Sequence, residues 1–121
     1  MSKLKYLSVL ILLSFQVTFV SGQTAEIDSL ENLLSLHTKQ DTVRVNLLNG
    51  VAYEFRSKDS EKSLKYATEA MELARKLSFI KGESGSLYLV GVSYYMKGDY
   101  SQSLEFYQKA LKIHEELGHK P

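Results

Sequence analysis

The chain has 121 residues, enough for one small domain, and no cysteine, which excludes a disulfide framework, thiolate metal ligands and a thiol nucleophile. Fifteen Lys and Arg against fourteen Asp and Glu leave a net charge of +1, without the basic footprint of a nucleic-acid binder, so nucleic acid is not an expected partner. The single proline, Pro121, ends the chain, so nothing interrupts long helices before it.

The first element reads as a processing segment. Lys3 and Lys5 form a positive start, Leu7 to Val20 is mostly apolar around Val9-Leu10-Ile11-Leu12-Leu13, and Val20-Ser21-Gly22 places small residues before Gln23. This pattern predicts a signal peptide over residues 1–22, cleavage before Gln23, and an exported product, periplasmic or secreted. Gln16 and Thr18 break an apolar stretch already short for a membrane span, so no stable span is expected after removal. A buried N-terminal helix and a retained anchor are the two alternatives. The site resembles a bacterial lipoprotein box, except that Gln23 stands where the lipidated cysteine would be, which argues against a lipid anchor.

Residues 23–41 are predicted to form an N-terminal capping helix and linker. Ile27, Leu30, Leu33 and Leu34 recur at helical spacing, and Asp28 and Glu31 suit a helix start; the helix should end near His37. Asp41 or Thr42 can cap a second helix running to about Arg56, with an apolar stripe of Val45, Leu48, Val51, Ala52 and Phe55. After a turn at Ser57–Ser60, Asp59 or Ser60 should cap a third helix that reaches Leu77 and buries Leu64, Ala67, Ala70, Met71 and Ala74. Ser78 to Glu83, containing Gly82, reads as a connector. A fourth helix is predicted over Ser84 to Lys97, a turn at Gly98-Asp99, and a fifth helix from Tyr100 or Ser101 to Leu117, followed by Gly118 at a C-terminal position. No segment alternates in the manner of a strand.

Two stretches repeat. Leu48, Val51, Ala52 and Phe55 return as Leu87, Val90, Gly91 and Tyr94 at a spacing of 39 (87 − 48), and Ser63, Ala67, Ala70 and Met71 return as Ser103, Tyr107, Ala110 and Leu111 at 40 (103 − 63). The extra residue falls in the turn, which absorbs it without rotating a helix. A period in this range predicts an all-α fold of antiparallel helical hairpins stacked in an array, with two hairpins over residues 42–121. Ala52 and Gly91 should let the partner helix approach closely, and Phe55 and Tyr94 should fill the space one turn later.

The second copy resembles a tetratricopeptide repeat. Val90-Gly91, Tyr94, Gly98-Asp99-Tyr100, Tyr107 and Ala110 stand at that family's positions, while Leu87, Ser103 and Glu115 replace its usual aromatic, alanine and proline. The missing proline resembles the roughly forty-residue variety, in which the second helix continues into a glycine-containing link such as Leu117-Gly118-His119-Lys120. The first copy departs more, with Val51-Ala52 for Leu-Gly and Ala67 for the aromatic. The whole chain is similar to the N-terminal part of exported repeat proteins of Bacteroidota. The resemblance implies a short right-handed solenoid and a non-catalytic module that binds a protein or peptide, with no cofactor. A second implication is the sensor end of a signalling protein, whose histidine kinase or transcriptional output would lie outside this chain.

Few residues suggest chemistry. His37, His114 and His119 are scattered and no metal site is predicted. Ser84 has no base partner, Gly82 and Gly85 are not followed by the Gly-Lys-Ser/Thr of a phosphate loop, and Glu115-Glu116 reads as solvated surface. No catalytic residue is expected. In the family the first helix of each repeat lines a concave groove. Helical spacing puts Asn46, Asn49, Tyr53 and Arg56 on that face in the first copy, and Tyr88, Val92, Tyr95 and Met96 in the second. Tyrosines beside asparagines and an arginine suit a partner-binding lining, although packing between helices would also use them. The lysine–asparagine clamp for a C-terminal carboxylate is not reproduced. Finally, Leu104, Tyr107, Leu111 and His114 should leave the trailing side of the last helix uncovered. The expectation is that the array continues or that two chains form a homo-oligomer through this helix.

Overall fold

Asp41, Asp59 and Asp99 each turn a carboxylate back onto the chain and start a helix. In the computed structural model, which describes residues 25–118, Asp41 accepts from Arg44 N at 3.0 Å, Asp59 from Lys62 N at 3.1 Å and Asp99 from Gln102 N at 3.2 Å. Each bond satisfies one of the backbone donors a helix start leaves free. The helices are α1 (residues 25–36), α2 (Thr42–Phe55), α3 (Ser60–Lys76), α4 (Ile80–Met96) and α5 (Tyr100–Gly118), and there is no strand among the described residues. The predicted cleavage site before Gln23, and His119 and Lys120 of the predicted link, lie outside the described residues.

One boundary differs in kind from the sequence reading. Residues 78–83 are not a connector: α4 begins at Ile80, four residues before Ser84, and Gly82 sits inside it. The start has no side-chain cap. What fixes it is the end of α3, where Ser78 adopts a left-handed φ of 53° and Phe79 N donates to Ala74 O at 2.8 Å. The same wrap ends α4, with Gly98 at φ 82° and Asp99 N on Tyr94 O at 2.9 Å. The other helices stop within a residue of expectation, and Gly118 is itself the last helical residue.

Each helix packs on the next, and α2 also touches α4, which is the arrangement of stacked antiparallel hairpins. One cluster joins Leu34 of α1 with Val45, Leu48, Val51 and Phe55 of α2 and Ala70, Leu73 and Ala74 of α3. A second joins Ala52 and Ala67 with Leu89 and Val90, and a third joins Met71, Leu87 and Ala110.

The repeat seen in the sequence recurs contact by contact. Ser63 Oγ donates to Ala52 O at 2.8 Å, and Ser103 Oγ donates to Gly91 O, also at 2.8 Å. Phe55 stacks on Tyr66 and Tyr94 on Phe106. These two serines are therefore staples inside each hairpin. Ser63 matters more. Arg56 N turns to Tyr53 O, so Ala52 O lies among the end carbonyls of α2 that need an outside donor. Ser93 Oγ also meets Ser63 Oγ at 3.2 Å, in a fully buried position. Ser63→Ala should cost about 1–3 kcal/mol, read as a shift in urea midpoint at constant slope.

The register extends backwards into α1. Ile27, Leu30 and Leu34 lie 40 residues before Ala67, Ala70 and Ala74, and they pack on the α2–α3 cluster as α3 packs on α4. The capping helix thus stands in the position of a hairpin's second helix.

Candidate partner-binding surface

The two first-type helices, α2 and α4, carry the residues predicted to line the groove, and the structure sorts them by what they touch. Asn49 is taken up by packing: its Nδ2 donates to Gly82 O at 3.2 Å and its Oδ1 accepts from Ser86 Oγ at 2.9 Å, so it clamps α4 onto α2. Asn46 is exposed and Val92 half-buried. Tyr53 is 48 % exposed, and the Arg56 guanidinium carbon lies 3.6 Å above its ring centre. Arg56 Nη1 also donates to Tyr53 O at 2.7 Å, so this cation–π pair is held in place on the surface before any partner arrives.

In the second copy the tyrosines pair with α5. Tyr95, 55 % exposed, tilts against Tyr100 with ring centres 5.3 Å apart, and Met96 beside it is exposed. Tyr88 tilts against Tyr107 at 5.8 Å. Tyr100 and Tyr107 were not among the predicted site residues. The sequence reading places Tyr100 at the start of the last helix and Tyr107 on its uncovered side; the signal that links them to the site is the antiparallel α4–α5 pairing, which sets Tyr100 opposite Tyr95 and Tyr107, two turns on, opposite Tyr88.

Tyr88 and Tyr107 belong to a second feature, a groove of about 880 Å³ between α4 and α5, lined also by Lys81, Ser84, Ala110, Leu111, His114 and Leu117. Leu104 and Leu111 are 58 % and 57 % exposed, so the trailing side of α5 is uncovered among the described residues, as the spacing predicted.

Charge plays a local part. Lys97 Nζ binds Glu61 Oε1 at 2.8 Å, tying the end of α4 to the start of α3, and this hydrogen bond holds the lysine above its usual range. The Asp41 carboxyl sits below its usual range because it accepts from Arg44 N and bonds the His37 ring at 2.7 Å. Burial pushes the Tyr66 phenol up. Among the described residues no group of three or more His, Asp or Glu side chains converges as a metal would require, and no helix is long and apolar enough to cross a membrane. Aromatic rings with one oriented guanidinium can hold apolar and carboxylate groups of a polypeptide.

Residues 41–117 match a family model described as tetratricopeptide repeat. No curated protein and no solved structure matches the chain.

Proposed function

Because the chain belongs to the tetratricopeptide repeat family, we propose that it is an exported, non-catalytic module that holds another protein or a peptide against its first-type helices. The observation that carries this reading is the exposed Tyr53–Arg56 pair, fixed by both a 3.6 Å stacking contact and a 2.7 Å hydrogen bond. An arginine–aromatic pair already ordered in the free protein loses little side-chain entropy on binding, and Tyr and Arg dominate binding hot spots. Tyr95, Met96, Val92 and Asn46 would extend the contact; Asn49 serves it indirectly, by setting the angle between α2 and α4. Protein rather than nucleic acid is the partner class that the near-balanced charge suits.

The export part rests on Lys3, Lys5, the apolar run and Val20-Ser21-Gly22. Intact-mass measurement of the protein recovered from the envelope or medium should place Gln23 at the N-terminus; a soluble cytosolic product retaining Met1 would overturn it. For binding, the partner retained from an envelope extract by the parent chain should be weakened about tenfold or more by Tyr53→Ala and by Tyr95→Ala, with helicity unchanged. Lys65→Ala and Gln108→Ala, on second-type helices, should leave retention alone. Equal losses from both pairs would remove the basis for the site.

A further inference from the structure

Asn49 is followed by Gly50, the one asparagine–glycine pair in the chain; Asn32 and Asn46 both precede leucine. An asparagine before glycine is the arrangement that deamidates most readily, because glycine has no Cβ to shield its backbone nitrogen from the side-chain carbonyl. Packing does not explain this glycine. A Cβ on Gly50 would meet only Leu30 Cδ2, at an ordinary 3.9 Å, whereas one on Gly82 would stand 2.5 Å from the Phe79 ring and one on Gly91 2.7 Å from the Tyr107 ring. No left-handed turn requires it either, since Gly98 is the one glycine with a positive φ among the described residues. Gly50 therefore weakens the middle of α2 at a place where alanine would fit and strengthen it.

The closed stack restrains the pair. Within α2 the Gly50 N–H belongs to the helix ladder, so its nitrogen is not free to attack. Asn49 Nδ2 donates to Gly82 O at 3.2 Å, and Ser86 Oγ lies 2.9 Å from Asn49 Oδ1. Both ends of the side-chain amide are thus committed to α4, and departure of α4 frees both. Asn49 and Gly50 are half-buried, so water reaches them.

We propose that Asn49–Gly50 is a self-modification site that the α2–α4 contact keeps silent, and that reaction there stops the stack from closing again. On opening, the Gly50 nitrogen loses its proton to solvent base and attacks Asn49 Cγ. The new C–N bond closes a cyclic imide, the Cγ–Nδ2 bond breaks, and the amide nitrogen leaves as ammonia. Water then opens the imide at either carbonyl. The sum is asparagine plus water giving ammonia plus aspartate, or the isomer in which the main chain runs through Cγ. Neither product fits. Aspartate puts an oxygen where Nδ2 stood, 3.2 Å from Gly82 O, with no proton between two acceptors. Ser86 has a single hydroxyl proton, already offered to Asn49 Oδ1 and Gly82 O, both at 2.9 Å, and cannot serve a second carboxylate oxygen as well. A charged acceptor facing another acceptor in a half-buried place is costly. The isomer inserts an extra main-chain carbon between Leu48 and Val51, two fully buried residues whose spacing along α2 sets the core.

The test incubates the full chain at mildly alkaline pH beside a synthetic peptide of residues 44–56, and follows the amide-to-acid mass gain at each asparagine by peptide mapping. The peptide should convert at Asn49 and not at Asn46. The folded chain should convert at Asn49 alone, and more slowly in proportion to its open fraction. Ser63→Ala should therefore raise the rate about fivefold or more, the factor that about 1 kcal/mol makes in the unfolded fraction. Gly50→Ala should melt at or above the parent, and should leave Asn49 unconverted over the time in which half of the Ser63→Ala chain has reacted. Converted molecules, separated by ion exchange, should melt below the parent, as should Asn49→Asp, whereas Asn46→Asp, at an exposed position, should not. Conversion of the folded chain at the peptide's rate, a rate that Ser63→Ala does not move, or converted chains that melt with the parent would each overturn the proposal.

Discussion

A chain carrying Gly82→Leu is expected to lose about 3 kcal/mol of stability, the upper end of the range for overpacking a core, and to melt roughly 12 °C or more below the parent. A Cβ at this position would stand 2.8 Å from Val45 Cγ1 and 2.5 Å from a ring carbon of Phe79. Val45 is fully buried at the centre of the α1–α2–α3 cluster and has nowhere to go. Phe79 is held by the chain reversal between α3 and α4. Even alanine places its methyl inside both contacts, so the gain of up to about 1 kcal/mol in helix propensity should not rescue it. Gly85 supplies the control within the same helix. A Cβ there meets only Asn49 Nδ2, at the ordinary distance of 3.6 Å, so Gly85→Ala should be neutral or stabilising. Gly91 falls between them. Its Cβ would meet the Tyr107 ring at 2.7 Å and Ser103 O at 3.3 Å. The half-buried tyrosine can swing outward but the carbonyl cannot, and Gly91→Leu should cost about 1–3 kcal/mol. Thermal melts of the three variants check the order; a Gly82→Leu chain that melts with the parent would contradict the position of α4.

These glycines also show where residue patterns sufficed and where they did not. Gly91 was legible as a packing position because it stands in register with Ala52, and a repeat forces equivalent positions to do equivalent work. Gly82 reads as part of a connector because the usual marks of a helix start are missing before Ile80. Phe79 stands at the N-cap with no side-chain group to cap the helix, and Ser84, five residues later, has one. The true start is imposed from outside, by the left-handed Ser78 and by Val45 pressing on Gly82, and no local pattern records either. The same holds for the surface. Helical spacing put Asn49, Tyr53 and Arg56 on one side of α2, but could not tell that Asn49 bonds into α4 while Tyr53 and Arg56 bond to each other. Position on a helix is periodic and readable; the partner of a side chain belongs to the neighbouring helix and is not.

A chain beginning at Asp41, and so lacking α1, should be largely unfolded at 25 °C. The reason lies in the register of α1. It stands where a second helix would stand, and it covers the side of α2 that α3 leaves open, with Leu34 only 8 % exposed and Ile27 and Leu30 packed beside it. Three such side chains contribute at most roughly 4.5–9 kcal/mol together, at about 1.5–3 kcal/mol for each when fully buried. The whole stability expected of a domain this size is about 5–15 kcal/mol. Arg44, whose Nη1 donates to His37 O at 2.7 Å and to Leu34 O at 3.3 Å, would lose both acceptors at once. Two hairpins are also fewer than the three repeats an array ordinarily needs, so the half-repeat at residues 25–36 supplies what the count lacks. Because a truncation removes much at once, point variants sharpen the test. Leu34→Ala should cost about 2–5 kcal/mol, whereas Leu36→Ala, at a position 72 % exposed, should stay within about 0.5 kcal/mol of the parent. Circular dichroism through a urea titration reads both. If the shortened chain kept a cooperative transition near that of the parent, or if Leu34→Ala and Leu36→Ala behaved alike, α1 would be an ornament on the stack rather than the helix that closes it.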